Sequence, residues 1–266
     1  MSAQRAMSEH NKQIETTSGK ISSGSRVRNA SDDAAGLAIG NKQKTSIRSQ
    51  YQAIRNGNDA ISQFQVAEGA MSEIGNMLVR LKELSLQAAS GHMQDSDRGM
   101  LNNEYMQIRR EVERVAQTTR YNGVDLLHDK SSKTRDFLIG TNNDENSKLS
   151  YNSTEVAVSE FNLSLVDSNV INAEEARINI SHIDKAIETL SGKRAKIGSY
   201  QNRIQASISN LETKNVNETE AMSRTMDADM AYETAEKMRS EGKMMAASSV
   251  LSQSHAFSAM ALKLLK

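Results

Sequence analysis

Large apolar side chains recur along both ends of the chain at the three- and four-residue intervals of one helix face. From Ile47 onward they stand at Tyr51, Ile54, Ile61, Phe64, Met71, Ile74, Leu78 and Leu81. Nearer the C-terminus, a cleaner series consists of Ile183, Ile187, Leu190, Ile197, Ile204, Ile208 and Leu211. Its steps of 4, 3, 7, 7, 4 and 3 residues form a coiled-coil seam, which Met222, Met226 and Met230 extend. The pattern predicts long helices in both arms of the chain.

The middle of the chain carries different signals. A third helix is predicted from Ser96 to Thr119, because Asp95, Ser96 and Asp97 suit a helix cap and first turn. Residues 129–173 are rich in Ser, Thr and Asn, and Phe161–Leu165 alternates strictly between apolar and polar, which predicts a half-buried strand. Weaker strand candidates are RDFLIG and KLSYNSTEVAV, with turn residues TNNDENS between them.

Neither helical arm can bury its apolar stripe alone, so the two arms are expected to pack antiparallel. The predicted fold class is mainly α, with long antiparallel coiled-coil helices from both termini and a small β-hairpin region in the middle. Both chain ends are expected at one pole, and the β region at the other.

Composition agrees with long helices and removes several function classes. The 266 residues include no proline, which would break helix interiors, and 33 basic residues balance 33 acidic ones, which argues against nucleic-acid binding. The longest uncharged stretch, Met244 to Leu262, contains five serines and is too polar to span a bilayer. The N-terminus lacks the apolar segment of a cleaved signal peptide.

Candidate chemistry is sparse. The five histidines form no pair at helical spacing and the chain has no cysteine, so neither a metal site nor a disulfide is expected. GLAIG lacks the residues of a phosphate-binding loop. The neighbouring Asp32 and Asp33 suit a helix N-terminus better than acid–base catalysis. We therefore expect no enzyme activity, no catalytic residue and no cofactor.

Several motifs, in order along both ends, resemble those of bacterial flagellins. The first is ISSGSRVRNASDDAAGLAIG, followed by IRNGNDAISQFQVAEGAMSEIGNMLVRLKELSLQAAS and RVAQTTRYNGVDLL. The likeness resumes with KRAKIGSYQNRIQASISNLE and DADMAYETAEKMRSEGKMMAASSVLSQ. It covers nearly the whole chain outside the middle.

The resemblance implies a structural subunit that polymerises into the flagellar filament for swimming. It implies inner-tube terminal helices (1–34 with 230–266), a helical shell (35–128 with 174–229) and a small outward-facing β region (129–173). The implied partners are further copies of the chain, the flagellar export apparatus, an export chaperone and the filament cap. The implied location is the secreted, extracellular filament.

The resemblance also suggests three sets of site residues. The joint between tube and shell is Asp32, Asp33, Ala34, Ala35 and Gly36, whose bare surface suits either a neighbouring subunit or a tight joint within one subunit. A surface recognised by the vertebrate Toll-like receptor for flagellin would include Arg80, Leu84 and Glu104, and the alternative is an ordinary solvated helix face. A C-terminal assembly stripe comprises Val250, Leu251, Phe257, Met260, Leu264 and Leu265.

Two other functions compete with the filament subunit. A hook–filament junction protein would share the terminal helices, but the density of filament-type motifs at both ends argues against it. An adhesin or enzyme displayed on a flagellin-like scaffold would need an inserted domain. The roughly 45 residues in the middle are fewer than the 50–250 of a typical domain.

Overall fold

The computed structural model describes residues 2–128, 134–142, 144–159, 163–165 and 168–264. Within them the helices are α1 (Ser2–Ser23), α2 (Ala34–Ala88), α3 (Asp95–Thr118), α4 (Ser153–Val156), α5 (Ala173–Met226) and α6 (Met230–Leu264). The strands are β1 (Arg120–Tyr121), β2 (Val124–Asp125), β3 (Thr134–Leu138) and β4 (Lys148–Asn152), paired as two antiparallel hairpins. The mainly α fold class with small antiparallel strand pairs is confirmed.

The chain divides into two compact units. Unit 1 comprises Met1–Arg48 with Lys214–Lys266, and unit 2 comprises Ser49–Thr213. Unit 1 thus holds α1, α6 and the adjoining ends of α2 and α5, whereas unit 2 holds the rest of those two helices together with α3, α4 and the four strands.

Unit 2 has a continuous hydrophobic core. Within it α2 and α5 run antiparallel, as shown by the bond from Lys82 Nζ to Asp184 Oδ1 (2.6 Å) and that from Gln201 Nε2 to Glu68 Oε2 (3.3 Å). The predicted seam of α5 is buried at Ile183, Leu190, Ile197, Ile204 and Ile208. On α2 the fully buried members of the predicted stripe are Phe64, Met71, Ile74, Leu78 and Leu81. These parts of the periodicity prediction are confirmed.

The α2 stripe was predicted wrongly at Tyr51, although Ile47 is buried and Ile54 and Ile61 are partly buried. Tyr51 is 52% exposed, and the side facing α5 is made of Ala53, Gly57 and Ala60. A Cβ atom added at Gly57 would lie 2.9 Å from Ile208 Cγ1, so the two helices approach too closely there for a larger residue. Close helix packing favours small residues over large apolar ones.

The β region differs in part from its prediction. RDFLIG contributes most of β3, and KLSYNSTEVAV supplies β4 and then the single turn α4. The strand predicted at Phe161–Leu165 is wrong in its described part, because Leu163 and Ser164 form a turn, with Ser164 at φ +57°. Leu163 and Leu165 are both buried by that turn, which explains the alternating pattern. Phe161 lies outside the described residues.

An aromatic cluster fixes the β3–β4 hairpin to the helices of unit 2. Phe64 of α2 stacks against Tyr200 of α5 at a centroid distance of 5.7 Å, and meets Phe137 and Tyr151 of the hairpin edge-on at 5.7 and 5.2 Å. Edge-on and offset arrangements are the favourable geometries for aromatic rings. The hairpin is therefore attached by side-chain packing and not only by its chain connections.

Unit 1 is built on an antiparallel α1–α6 pair. Gln13 Nε2 of α1 donates to Glu236 Oε1 of α6 at 3.1 Å, and Lys20 Nζ meets Glu233 Oε1 at 3.3 Å. The methionine series does not continue as predicted, because α5 ends at Met226 and Met230 begins a new helix with 47% of its surface exposed. No helix in the described part of the chain is long and apolar enough to cross a membrane.

Candidate assembly surfaces

Two linkers in unit 1 are joined to each other by backbone hydrogen bonds. Arg26 N donates to Met226 O at 2.7 Å, and Ala228 N donates to Gly24 O at 2.9 Å. The Arg26 guanidinium also donates from Nη2 to Thr225 O at 2.8 Å, which satisfies a carbonyl at the C-terminal end of α5. Asp229 Oδ1 accepts the backbone N–H groups of Ala231 and Tyr232 and so caps α6.

Asp32 and Asp33 of the predicted joint both accept hydrogen bonds from nearby backbone N–H groups of the same chain. Asp33 Oδ1 accepts the backbone N–H of Gly36 at 2.8 Å, which is a helix N-cap for α2. Asp32 Oδ2 accepts the backbone N–H groups of Asn29 and Arg28 at 3.0 Å each, and these two bonds hold the pKa of Asp32 below its usual range. The carboxylates shape the turn into α2.

The small residues of the joint, with Gly40 one turn further along α2, divide into two groups. Gly36 is buried beneath the Asp33 carboxylate, and an added Cβ at Gly40 would collide with the sulfur of Met226. Ala34 and Ala35 are exposed. Part of the bare surface therefore serves close packing inside one subunit, and the contact of Ala34 and Ala35 with a neighbouring subunit stays a prediction.

The interface between α1 and α6 is unusually polar. Thr17, Glu233 and Ser240 are all less than 7% exposed. The Lys20–Glu233 ion pair sits in this seam with side-chain exposures of 24% and 8%. Among the described residues, His10 Nδ1 and Ser240 Oγ are buried without a hydrogen-bond partner. Such a seam fixes alignment through polar contacts but contributes little hydrophobic stabilisation.

The opposite face of α6 carries two exposed methionines. Met238 and Met245 stand seven residues apart, which is two helical turns, and each is 67% exposed. Both lie roughly opposite Ser240, the residue buried against α1. Gly242, between them, has no neighbouring atom within 4 Å of an added Cβ. The helix thus directs Glu233 and Ser240 toward its partner in the subunit and the thioethers of Met238 and Met245 away from it, while Met244, on the same face as Ser240, is half-buried.

Unit 1 has almost no hydrophobic core of its own. Among its described residues, Val27 and Ile47 are the only buried apolar side chains, whereas the large core cluster lies within unit 2. Long helices that bury so little apolar surface are marginal in water. The described part of unit 1 therefore gains little stability from apolar burial within the subunit.

The predicted C-terminal stripe is only partly described. Val250 is 58% exposed and Leu251 is half-buried. The backbone of Phe257, Met260 and Leu264 belongs to α6, but their side chains lie outside the described part of the chain, and so does the whole of Leu265. The assembly role of this stripe stays a prediction.

The predicted receptor surface lies where α3 packs against α2. Arg80 Nη2 and Nε donate to Glu104 Oε1 at 2.7 and 3.0 Å, and Nη1 donates to Glu83 at 3.1 Å. The Glu104 and Glu83 bonds raise the pKa of Arg80. Leu84 is only 1% exposed, so any contribution of Leu84 to receptor binding would be indirect, through support of the surface from beneath.

The sequence analysis missed a buried arginine at the α2–α3 turn. Arg98 is 7% exposed, and its guanidinium donates to Ala88 O and Ser90 O at 3.0 Å each and to Asp95 Oδ1 at 2.8 Å. It satisfies carbonyls at the C-terminal end of α2 from the first turn of α3. The available signal was an arginine directly after the acids that begin α3.

Metal binding has no support in the described part of the chain, where no group of three or more His, Cys, Asp or Glu side chains could hold an ion.

Comparison with known proteins matches both arms of the chain. The family model for the bacterial flagellin N-terminal helical region matches residues 1–132, and that for the bacterial flagellin C-terminal helical region matches residues 180–265.

Relatives are similar over nearly their full length. The flagellin of Halalkalibacterium halodurans is 35% identical over 255 residues, which cover 96% of this chain and 93% of the relative. The flagellar filament 30.7 kDa core protein of Treponema maltophilum is 32% identical, with coverage of 91% and 88%. The flagellin of Bacillus subtilis is 31% identical, with coverage of 94% and 91%.

Two solved structures share the fold. The crystal structure of Bacillus cereus flagellin matches with a TM-score of 0.52 and 26% identity, covering 59% of this chain and 88% of that one. A chain of Vibrio parahaemolyticus described as a flagellar hook-associated protein matches with a TM-score of 0.62, 13% identity and coverage of 74% and 100%. Identity that low shows the fold alone, and the junction alternative is not favoured. The chain belongs to the bacterial flagellin family, whose members are structural filament proteins and not enzymes.

Proposed function

We propose that this chain polymerises with itself into the filament that drives bacterial swimming, and that unit 1 provides the main contacts between subunits. The observation that carries this proposal is the scarcity of buried apolar side chains in unit 1, where only Val27 and Ile47 are buried among the described residues. Further copies of the chain would supply the missing apolar partner surface.

The polarity of α6 supports the same proposal. A helix that folded only against α1 would place all its large apolar residues inward. Met244 and Leu251 are half-buried on that side, but Met238 and Met245 face outward and are 67% exposed. In the proposed filament, residues 1–34 with 230–266 form the inner tube. Residues 35–128 with 174–229 form the shell, and residues 129–173 face outward.

The proposal includes the partners that a filament subunit requires. The chain would pass through the flagellar export apparatus with the help of an export chaperone and add to the growing end beneath the filament cap. Its final location would be the extracellular filament. The family resemblance supports these partners, and each needs its own binding measurement.

We further propose that the monomer is recognised by the vertebrate Toll-like receptor for flagellin. The Arg80–Glu104 pair is the accessible part of the proposed surface, with side chains 49% and 44% exposed. Arginine is frequent among residues that dominate protein interfaces. Leu84 would hold the α2 surface in place from the core.

Seeded polymerisation tests the filament proposal. Purified monomer is mixed with sonicated filament seeds, and growth is followed by light scattering and electron microscopy. We expect long helical tubes formed by this one chain. A chain that lacks residues 249–266 should retain most of its helical circular dichroism but fail to elongate seeds. Normal elongation by the truncated chain would contradict an inner-tube role for the C-terminal helix.

Point variants test whether the outer face of α6 makes the contact between subunits. The double substitution Met238→Lys with Met245→Lys places charges on the outer face of α6 without touching α1, so it should prevent elongation. Met100→Lys is the matched control, because Met100 is 66% exposed on α3 of unit 2. Elongation by the double variant at the wild-type rate would refute the assignment of this face, as would equal failure of both variants.

A further inference from the structure

We propose that Met238 and Met245 form an oxidation-sensitive site, at which conversion to methionine sulfoxide blocks incorporation of the subunit into the filament. The inference rests on the proposed function, because it requires that the outer face of α6 be covered by another subunit. It adds a covalent modification that would distinguish free subunits from assembled ones.

Met238 and Met245 are among the most exposed methionines of a methionine-rich chain. The sequence contains 14 methionines, and those with large exposure among the described residues are Met100, Met230, Met238 and Met245. Met71, in contrast, is fully buried in the core of unit 2. Among the side chains that the structure describes, a free subunit therefore presents an oxidant with four open thioethers, three of which lie on α6.

Placement gives Met238 and Met245 their effect on assembly. They lie on one line of α6, facing away from the α1 side, and Gly242 leaves open space between them. A partner subunit can close tightly over that space and surround both thioethers. Met230 is less exposed, at 47%, and lies at the helix start beside the Asp229 cap.

The chemical step needs a peroxide, either hydrogen peroxide or an organic hydroperoxide. A sulfur lone pair attacks one peroxide oxygen, the S–O bond forms and the O–O bond breaks. The second oxygen leaves with the proton of the transferred oxygen, as water or an alcohol. Sulfur loses two electrons and the peroxide gains two. The product is a polar sulfoxide in place of an apolar thioether.

Oxidation should affect free subunits much more than assembled ones. A free subunit with sulfoxides at these positions has to desolvate two polar S=O groups in order to bind, without hydrogen-bond donors to receive them on an apolar surface. In an assembled filament the same sulfurs are covered, so the peroxide reaches them slowly. Oxidation would then remove free subunits from growth and spare existing filament.

The experiment compares three proteins before and after mild peroxide treatment: the wild type, Met238→Leu with Met245→Leu, and Met100→Leu. A further sample of oxidised wild type is treated with methionine sulfoxide reductases. Leucine keeps the apolar volume and removes the sulfur. Peptide mass spectrometry maps every sulfoxide, with Met71 as the buried reference. Seeded elongation is then measured for each sample.

We expect oxidised wild type and oxidised Met100→Leu to need at least about a tenfold higher concentration to elongate seeds, which corresponds to about 1.4 kcal/mol. The leucine double variant should keep its elongation after oxidation, and the reductases should restore the wild type. Preformed filament should show sulfoxide formation at Met238 and Met245 at least about tenfold slower than monomer.

Each result separates the two proposals. If untreated wild type does not elongate seeds, the proposed function fails and this inference fails with it. If untreated protein elongates but wild type oxidised at both positions elongates equally well, only the oxidation site is refuted. Loss of elongation in the oxidised leucine variant would refute it too. If the leucine variant cannot elongate even untreated, the reductase-treated wild type decides, and failure of rescue overturns the proposal.

Discussion

Removal of the Arg98 guanidinium should loosen the α2–α3 turn. In Arg98→Ala, Ala88 O and Ser90 O each lose a hydrogen bond from a charged donor. Such bonds contribute about 1.5–3 kcal/mol each, and Arg98 is 7% exposed, so solvent restores them poorly. The ion pair with Asp95 adds little, because the Asp95 side chain is 93% exposed. We expect a loss of about 3–5 kcal/mol of local stability.

Native-state hydrogen exchange measures this loss where it occurs. Amides in the last turns of α2 and the first turns of α3 should exchange roughly 100-fold to several thousand-fold faster in Arg98→Ala, since 1.4 kcal/mol corresponds to a factor of ten. The exchange rates in Arg98→Lys should lie between those of the wild type and those of Arg98→Ala, because a lysine lacks the planar guanidinium that reaches two carbonyls at once.

Arg114→Ala is the matched control on the same helix. Arg114 pairs with Glu111 one turn away, with side-chain exposures of 60% and 45%, so its removal should leave exchange nearly unchanged. The reasoning would be refuted if amides around the turn exchanged within threefold of each other in Arg98→Ala and Arg114→Ala. That result would mean that water replaces the buried guanidinium without cost.

Three further outcomes are expected. In a receptor reporter assay with monomer, Arg80→Ala should weaken the response without altering the thermal unfolding temperature. Leu84→Ala should lower both the response and the unfolding temperature, since truncating a buried leucine costs about 2–5 kcal/mol. A weakened response from Leu84→Ala at unchanged stability would show that Leu84 contacts the receptor directly. Brief proteolysis of monomer should remove both terminal segments and leave unit 2, and equal protection of the termini in monomer and filament would contradict this. Burial and the bond to Glu155 raise the pKa of Tyr200 above its ordinary value of about 10, so its neutral phenol stabilises the fold below pH 10 and that stabilisation is lost as pH rises through the raised pKa; Tyr200→Phe should flatten this alkaline loss in urea titrations, and an unchanged slope would rule the residue out.

The helical framework could be predicted from sequence because its signal is local. The series from Ile183 to Ile208 repeats at helical spacing, and the structure buries all of it except Ile187, which is partly buried. The error at Tyr51 has a physical cause. A search for large apolar side chains overlooks Ala53 and Gly57, which are chosen where two helices approach closely.

The sites depended on contacts that no local pattern reports. The burial of Leu84 and the clamp formed by Arg98 arise because α3 folds back over α2. The inward face of α6 holds the buried Glu233 and Ser240 beside the half-buried Met244 and Leu251, while Met238 and Met245 are exposed. Long-range packing decides these features, and a single sequence carries no direct record of it.

The scarcity of buried apolar side chains in unit 1 has a calorimetric consequence. The heat-capacity increment of unfolding grows with the apolar area that becomes exposed. Monomer unfolding should therefore show an increment that comes mainly from unit 2 and is small for a chain of this length. Assembly should in turn carry a large negative heat-capacity change, of the kind that ordinary domains acquire when they fold. For unit 1, polymerisation would be the event that releases water from apolar surface.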